Sequence, residues 1–203
     1  MVLSVAPDSA KKIKTYTEQE YLVLEVESDI RNEFRDGVIV PMAGGTPEHN
    51  MISSALNALL WFELRKKSYT VFVSDQRLWI PAANLHTYPD VMVTPKPPEL
   101  KAGRKDTVVN PIFVAETLSS STQGYDRGDK FAHYRTINSF QEYLLIEQYR
   151  PRVEHYVKQG ENQWLLTEHS GLEATFHLSS VDVEIALSDL YENVEFEVSK
   201  ADA

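Results

Sequence analysis

An acid inside an apolar run constrains a fold strongly, because a buried carboxylate without a partner is costly. This chain carries two such acids. Tyr88-Pro89-Asp90-Val91-Met92-Val93-Thr94 reads as a short buried strand with a carboxylate near its start, and Pro111-Ile112-Phe113-Val114-Ala115-Glu116-Thr117-Leu118 reads as a second strand, apolar until Glu116. A polar run over 119–124 follows, and then a helix that begins near Asp126 and carries Lys130 in its first turns. If the two strands are antiparallel neighbours, Asp90 and Glu116 meet at one edge of the sheet. Two acids at one edge call for a shared partner, and Mg²⁺ accepts one or two carboxylates while filling its other positions with water and substrate phosphate. Asp90 and Glu116 are therefore the expected ligands of Mg²⁺ or Mn²⁺. Such a cation activates water and neutralises charge at a phosphodiester. Lys130 is expected to orient that water or to stabilise the developing charge.

The flanking sequence supplies the rest of an α/β (α+β) core. Thr17-Glu18-Gln19-Glu20 has the spacing of a capping box at the start of a short helix. Residues 31–42 alternate as a hairpin with Asp36-Gly37 at the turn. Thr46-Pro47-Glu48-His49 starts a helix whose apolar positions recur at helical spacing to about Lys67. Residues 69–80 read as one strand ending at Pro81, 81–87 as a connector, and 95–110 as a long loop. Glu142-Tyr143-Leu144-Leu145-Ile146 is a buried strand, and from Arg152 an antiparallel β-meander is expected to continue through residues 174–178. The expectation is a mixed sheet flanked by helices in a single domain over 1–203, with a loose lead-in over 1–16, a core over about 46–148 and the meander over 151–195.

Composition narrows the chemistry. With zero cysteines, thiolate metal sites and disulfides are excluded, so carboxylate, imidazole or carbonyl must hold any metal. The formal charge of −10 argues against tight non-specific nucleic-acid binding, although Arg31, Arg35, Lys101, Arg104, Lys105, Arg127, Lys130 and Arg135 flank the acids in sequence. No apolar run reaches the length of a membrane span, and the N-terminus lacks the pattern of a signal peptide, so a cytoplasmic protein is expected. His49, in the first turn of the long helix, is a further candidate for positioning metal or water.

Six segments carry a resemblance. They are Asn32-Glu33-Phe34-Arg35-Asp36-Gly37, Pro47-Glu48-His49-Asn50, Tyr88-Pro89-Asp90-Val91, Val114-Ala115-Glu116-Thr117-Leu118-Ser119, Tyr125-Asp126-Arg127-Gly128-Asp129-Lys130-Phe131 and Glu142-Tyr143-Leu144-Leu145. In this order they resemble the PD-(D/E)XK nuclease superfamily, the restriction-endonuclease-like fold, and more closely its bacterial Uma-two family. The resemblance implies a Mg²⁺-dependent endonuclease acting on DNA through Asp90 and Glu116, and it sets Glu33 near that site. The superfamily pattern has a lysine two residues after the second acid. Here that residue is Leu118, a departure the Uma-two family shares, and Lys130 is the natural replacement. A nuclease that cuts both strands implies a homodimer, with the meander or the Trp61 and Trp164 regions as candidate interfaces. The alternative is a catalytically inactive nuclease-fold protein serving as a binding or assembly module.

Overall fold

The computed structural model describes residues 14–196, so most of the expected lead-in and the end of the chain lie outside the described residues. Helix α1 (Glu18–Glu27) starts on the expected capping box, in which Thr17 accepts from the Glu20 amide and Glu20 accepts from the Thr17 amide. Strands β1 (Asn32–Arg35) and β2 (Val38–Pro41) form the hairpin. Its turn residues, Asp36 and Gly37, have φ of 43° and 93°, as a tight two-residue hairpin turn requires. Helix α2 (Pro47–Leu64) begins at Thr46, which accepts from the His49 amide, and buries Ile52, Leu56, Leu60 and Leu64 on one face.

The single strand expected over residues 69–80 is two strands, β3 (Tyr69–Val73) and β4 (Arg77–Ile80), which belong to different sheets. The chain reverses at Ser74, whose φ of 48° is left-handed, and a 2.6 Å bond from the Asp75 amide to the Val73 carbonyl tightens the turn. The expected connector holds a short 3₁₀ turn (Pro81–Ala83) and β5 (Leu85–Thr87). Next come β6 (Val91–Pro95), then β7 (Thr107–Val108) within the expected long loop, and β8 (Phe113–Leu118). A continuous helical run follows: α3 (Gln123–Tyr125), a π turn (Asp126–Lys130) and α4 (Phe131–Tyr134). The chain ends in β9 (Glu142–Glu147), β10 (Arg152–Gly160), β11 (Gln163–Ser170), β12 (Thr175–Leu178), β13 (Val183–Ala186) and α5 (Leu187–Leu190).

The fold is of the α+β class. Its main sheet has the order β11-β10-β9-β8-β6-β3 and is mixed, since β8 and β9 are parallel and the other pairs antiparallel. Successive residues of its central strands face opposite ways. Val91, Val93, Phe113, Ala115, Leu144 and Ile146 pack under α2, whereas Met92, Val114, Leu118, Tyr143 and Leu145 pack with Phe131, Tyr134 and Phe140. Burial on both faces is why these strands read as unbroken apolar runs. A second sheet, β2-β1-β5-β4-β7, carries Glu33.

The meander stops at β11. Strand β12 does not continue it but pairs with β13, and their inward residues Phe176, Leu178, Val183 and Ile185 close the core beside α2. There they bury apolar surface that the edge of the sheet, where Leu165 and Leu166 are exposed, does not cover. Among the described residues no helix is long and apolar enough to cross a membrane.

Candidate active site

Antiparallel pairing of β6 with β8 aligns Val91 with Ala115, which brings Asp90 beside the end of β8. The Thr117 amide donates to Asp90 Oδ2 at 2.8 Å, so the two acids meet at one sheet edge as the sequence implies. Glu116 alternates with Val114 and Leu118 and shares their face of the sheet, under the helical run. Asp126, Lys130 and Tyr134, spaced by four residues, look back at that face. Lys130 Nζ lies 2.8 Å from Glu116 Oε1, 3.4 Å from Asp126 Oδ1 and 4.0 Å from Glu33 Oε1. The Tyr134 hydroxyl donates to the same Glu116 oxygen at 2.6 Å. Leu118, at the superfamily's lysine position, is buried in the core. The ammonium therefore reaches Glu116 from the helix above rather than from the strand.

Glu33 enters from β1 of the second sheet. It accepts from the Thr87 hydroxyl and from Arg35 Nε at 2.6 Å, and the Arg35 guanidinium lies 3.8 Å from the centre of the Tyr125 ring. His49 Nε2, in the first turn of α2, is 3.1 Å from Asp90 Oδ2, and its Nδ1 is buried without a hydrogen-bond partner among the described residues. The five residues singled out from the sequence thus come together and line one cleft of about 480 Å³, walled by residues 42–46 and 119–122. Sequence reasoning missed Tyr134, whose only sequence signal is its position one helical turn beyond Lys130. It also missed Asp126, which the sequence marks only as the start of the helix but which lines the cleft beside Lys130.

The electrostatics combine burial with several acids gathered around one ammonium. Burial pushes the Glu116 carboxyl up to about 8, and Asp90 and Asp126 add to this effect against the pull of Lys130. Burial opposes charge on Lys130, yet Glu116, Asp126 and Glu33 outweigh it and hold the ammonium charged well beyond its ordinary range. At Glu33 burial is likewise outweighed, by Lys130, Thr87 and Arg35, and the carboxyl lies below its usual value. His49 is raised despite burial, because Asp90 accepts from its ring.

These residues fit a hard divalent cation. Asp90 commits Oδ2 to Thr117 and His49, and Glu116 commits Oε1 to Lys130 and Tyr134, while Oδ1 and Oε2 have no protein partner among the described residues. A cation would offset the charge of Asp90 and Asp126 that adds to burial in raising Glu116. Among the described residues no three His, Asp or Glu side chains form a metal cage, so a cation here would take two carboxylate oxygens from the protein and its other ligands from elsewhere.

Gly45 sets the place of His49. A Cβ at Gly45 would lie 2.6 Å from His49 Nδ1 and 2.8 Å from Asn50 Oδ1, closer than real Cβ contacts come. Gly45→Ala is expected to push the imidazole away from Asp90, at a cost of about 1–2 kcal/mol for the forced shift. In the metal-free protein, NMR titration should show the His49 pKa falling back from its raised position. An unchanged titration would count against this contact.

Comparison with known proteins follows the same lines. Residues 18–188 match the family model "Uma2: Putative restriction endonuclease". Two uncharacterized proteins of Synechocystis sp. are similar. The protein sll1609 is 44% identical over 170 residues, covering 84% of this chain and 96% of its own length, and slr1290 is 31% identical over 178 residues, covering 88% and 92%. The crystal structure of "a putative nuclease belonging to DUF820" from Anabaena variabilis superposes with a TM-score of 0.69 at 18% identity, covering 86% of this chain and 96% of that one. At that identity the shared property is the fold.

Proposed function

The chain belongs to the Uma2 family, and from that premise we propose that it is a metal-dependent endonuclease hydrolysing phosphodiester bonds of DNA. One observation carries the reading: Asp90 and Glu116, from adjacent antiparallel segments, each keep an oxygen without a protein partner among the described residues in one cleft, where a buried lysine lies between Glu116 and a third acid, Glu33. Asp90 and Glu116 would hold Mg²⁺ or Mn²⁺. When bound, the cation supplies an activated water and neutralises charge on the phosphodiester. His49 and the Thr117 amide fix Asp90 through Oδ2, which leaves Oδ1 for a ligand. Tyr134 and Lys130 fix Glu116 in the same way, and Lys130 adds a preorganised positive charge beside the reacting phosphate.

The proposal sets the protein in the cytoplasm, with DNA, and gives it a second copy as partner. Strand β11 supports that partner, since it is a sheet edge with Leu165 and Leu166 exposed. Trp164 is a poorer candidate because it packs on Phe131 and Phe140.

Calorimetry with Mn²⁺ and cleavage of plasmid DNA test the function together. The expected result is metal binding and metal-dependent cleavage in the native protein, with both lost in Asp90→Asn and in Glu116→Gln. Cleavage that persists in both variants would sink the assignment. Absence of metal binding, with neither substitution altering stability, would select a binding or assembly module instead.

A further inference from the structure

A second cavity, of about 520 Å³, adjoins the catalytic cleft. Arg35 and Tyr125 line both, so a single stacked pair separates them. Its other walls are Asp36, Asn84, Asp129 and His133 over a floor of alanine and leucine side chains. Asp129 and His133 are four residues apart on the helical run, and neither side chain has a hydrogen-bond or ion-pair partner among the described residues. Asp36 holds the Asn84 amide at 3.0 Å through Oδ1 alone. Neither the metal site nor the packing of the core uses this chemistry.

Carboxylates at the mouth of a cavity disfavour phosphate but accept from N–H groups. The exocyclic amines of cytosine and adenine are such donors. A small apolar floor and an aromatic wall suit the face of a base. The cations that line the two cavities, Arg35 and Lys130, are already paired with Glu33 and Glu116, and the chain carries a net charge of −10. Among the described residues, the two cavities therefore offer no unpaired lysine or arginine to track the backbones of a duplex, the term that usually dominates duplex affinity. A base enters such a cavity only when it is out of the stack.

We propose that the cavity beyond the Arg35–Tyr125 stack is a nucleobase subsite, and that the DNA is taken with the nucleotide next to the scissile phosphate unpaired. This rests on the nuclease reading and narrows its substrate.

The test compares Mn²⁺-dependent hydrolysis of bis(p-nitrophenyl) phosphate, a single-stranded dC oligonucleotide, the same strand in a duplex and an abasic strand of equal length. The native protein, Glu116→Gln, Asp129→Ala and His133→Ala are used, with circular dichroism confirming the fold of each. The dC strand should be cut at least roughly tenfold faster than the duplex. Asp129→Ala should lose roughly tenfold in kcat/KM on the dC strand, the size of one good base contact. It should lose nothing on the abasic strand or on bis(p-nitrophenyl) phosphate. Equal cutting of duplex and single strand, or an Asp129→Ala variant that is unimpaired on the dC strand, overturns the subsite. The nuclease assignment survives that outcome if the small diester is still hydrolysed by the native protein and not by Glu116→Gln. No hydrolysis of any substrate overturns both.

Discussion

Lys130→Met is expected to abolish phosphodiester cleavage and to destabilise the fold by about 3–5 kcal/mol, the usual consequence of removing one partner from a buried ionic cluster. Lys130 is 5% exposed, and its ammonium sits within 4.0 Å of three carboxylates, on Glu116, Asp126 and Glu33. Methionine fills the same space with no charge, so the three acids would face one another in a low-dielectric setting. Glu33 keeps Arg35, but Glu116 and Asp126 lose their cation and find relief in protonation, so stability of the variant should fall as pH rises, in a urea titration repeated between acid and neutral pH. Adding Glu116→Gln removes one uncompensated charge. The double variant should recover part of the lost stability while remaining inactive, a coupling that a double-mutant cycle reads directly. Equal stability of Lys130→Met and the native protein would show that the lysine does not hold the acids.

Glu142→Ala is the second large effect, and it concerns the frame rather than the chemistry. The Glu142 carboxylate is fully buried at the start of β9. It accepts from the amides of Ser179 and Ser180 at 3.0 and 2.9 Å and from both their hydroxyls, and it lies 2.7 Å from His155 Nε2 on β10. One side chain thus ties the main sheet to the segment that leads into β13. Truncation strands these donors, at an expected cost of about 3 kcal/mol, or roughly 6–12 °C in Tm for a chain of this size. Burial opposes the charge, but His155 and the serines hold the carboxyl below its ordinary value. An acid whose folded pKa is depressed contributes stability that is present above its unfolded pKa and lost as pH falls through the folded one. The gap between native and Glu142→Ala should accordingly be widest near neutral pH and narrow below about pH 4.5, the ordinary carboxyl value. A gap that does not change with pH would argue that packing, not the carboxylate, is at stake.

Much of the site was legible because its signals are local. Asp90 and Glu116 stand out against apolar strands, and antiparallel polarity alone decides that they share an edge. Lys130 follows from a helix start placed after a polar loop. The second sheet was harder to read, since β4, β5 and β7 are two to four residues long and the buried positions of β5 include His86 and Thr87. No period-two hydrophobic pattern survives in so few residues. The break at Ser74 depends on one backbone angle that serine does not advertise, and it converted one expected strand into two in different sheets. For β12 the alternation announced a strand but not its partner, which the core around α2 decides. Tyr134 was invisible as a site residue because its role exists only once the helical run lies over β8.

The position of β8 between β6 and β9 has a consequence for the chain as it is made. Glu33, His49, Asp90, Glu116 and Lys130 come from separate segments, and β8, which carries Glu116, is an open sheet edge until β9 arrives from further along the sequence. A nascent or truncated chain that ends before β9 therefore lacks the strand that flanks Glu116 in the finished sheet. Under the proposed function, synthesis itself would act as a safety catch, withholding the chemistry until β9 has joined the sheet.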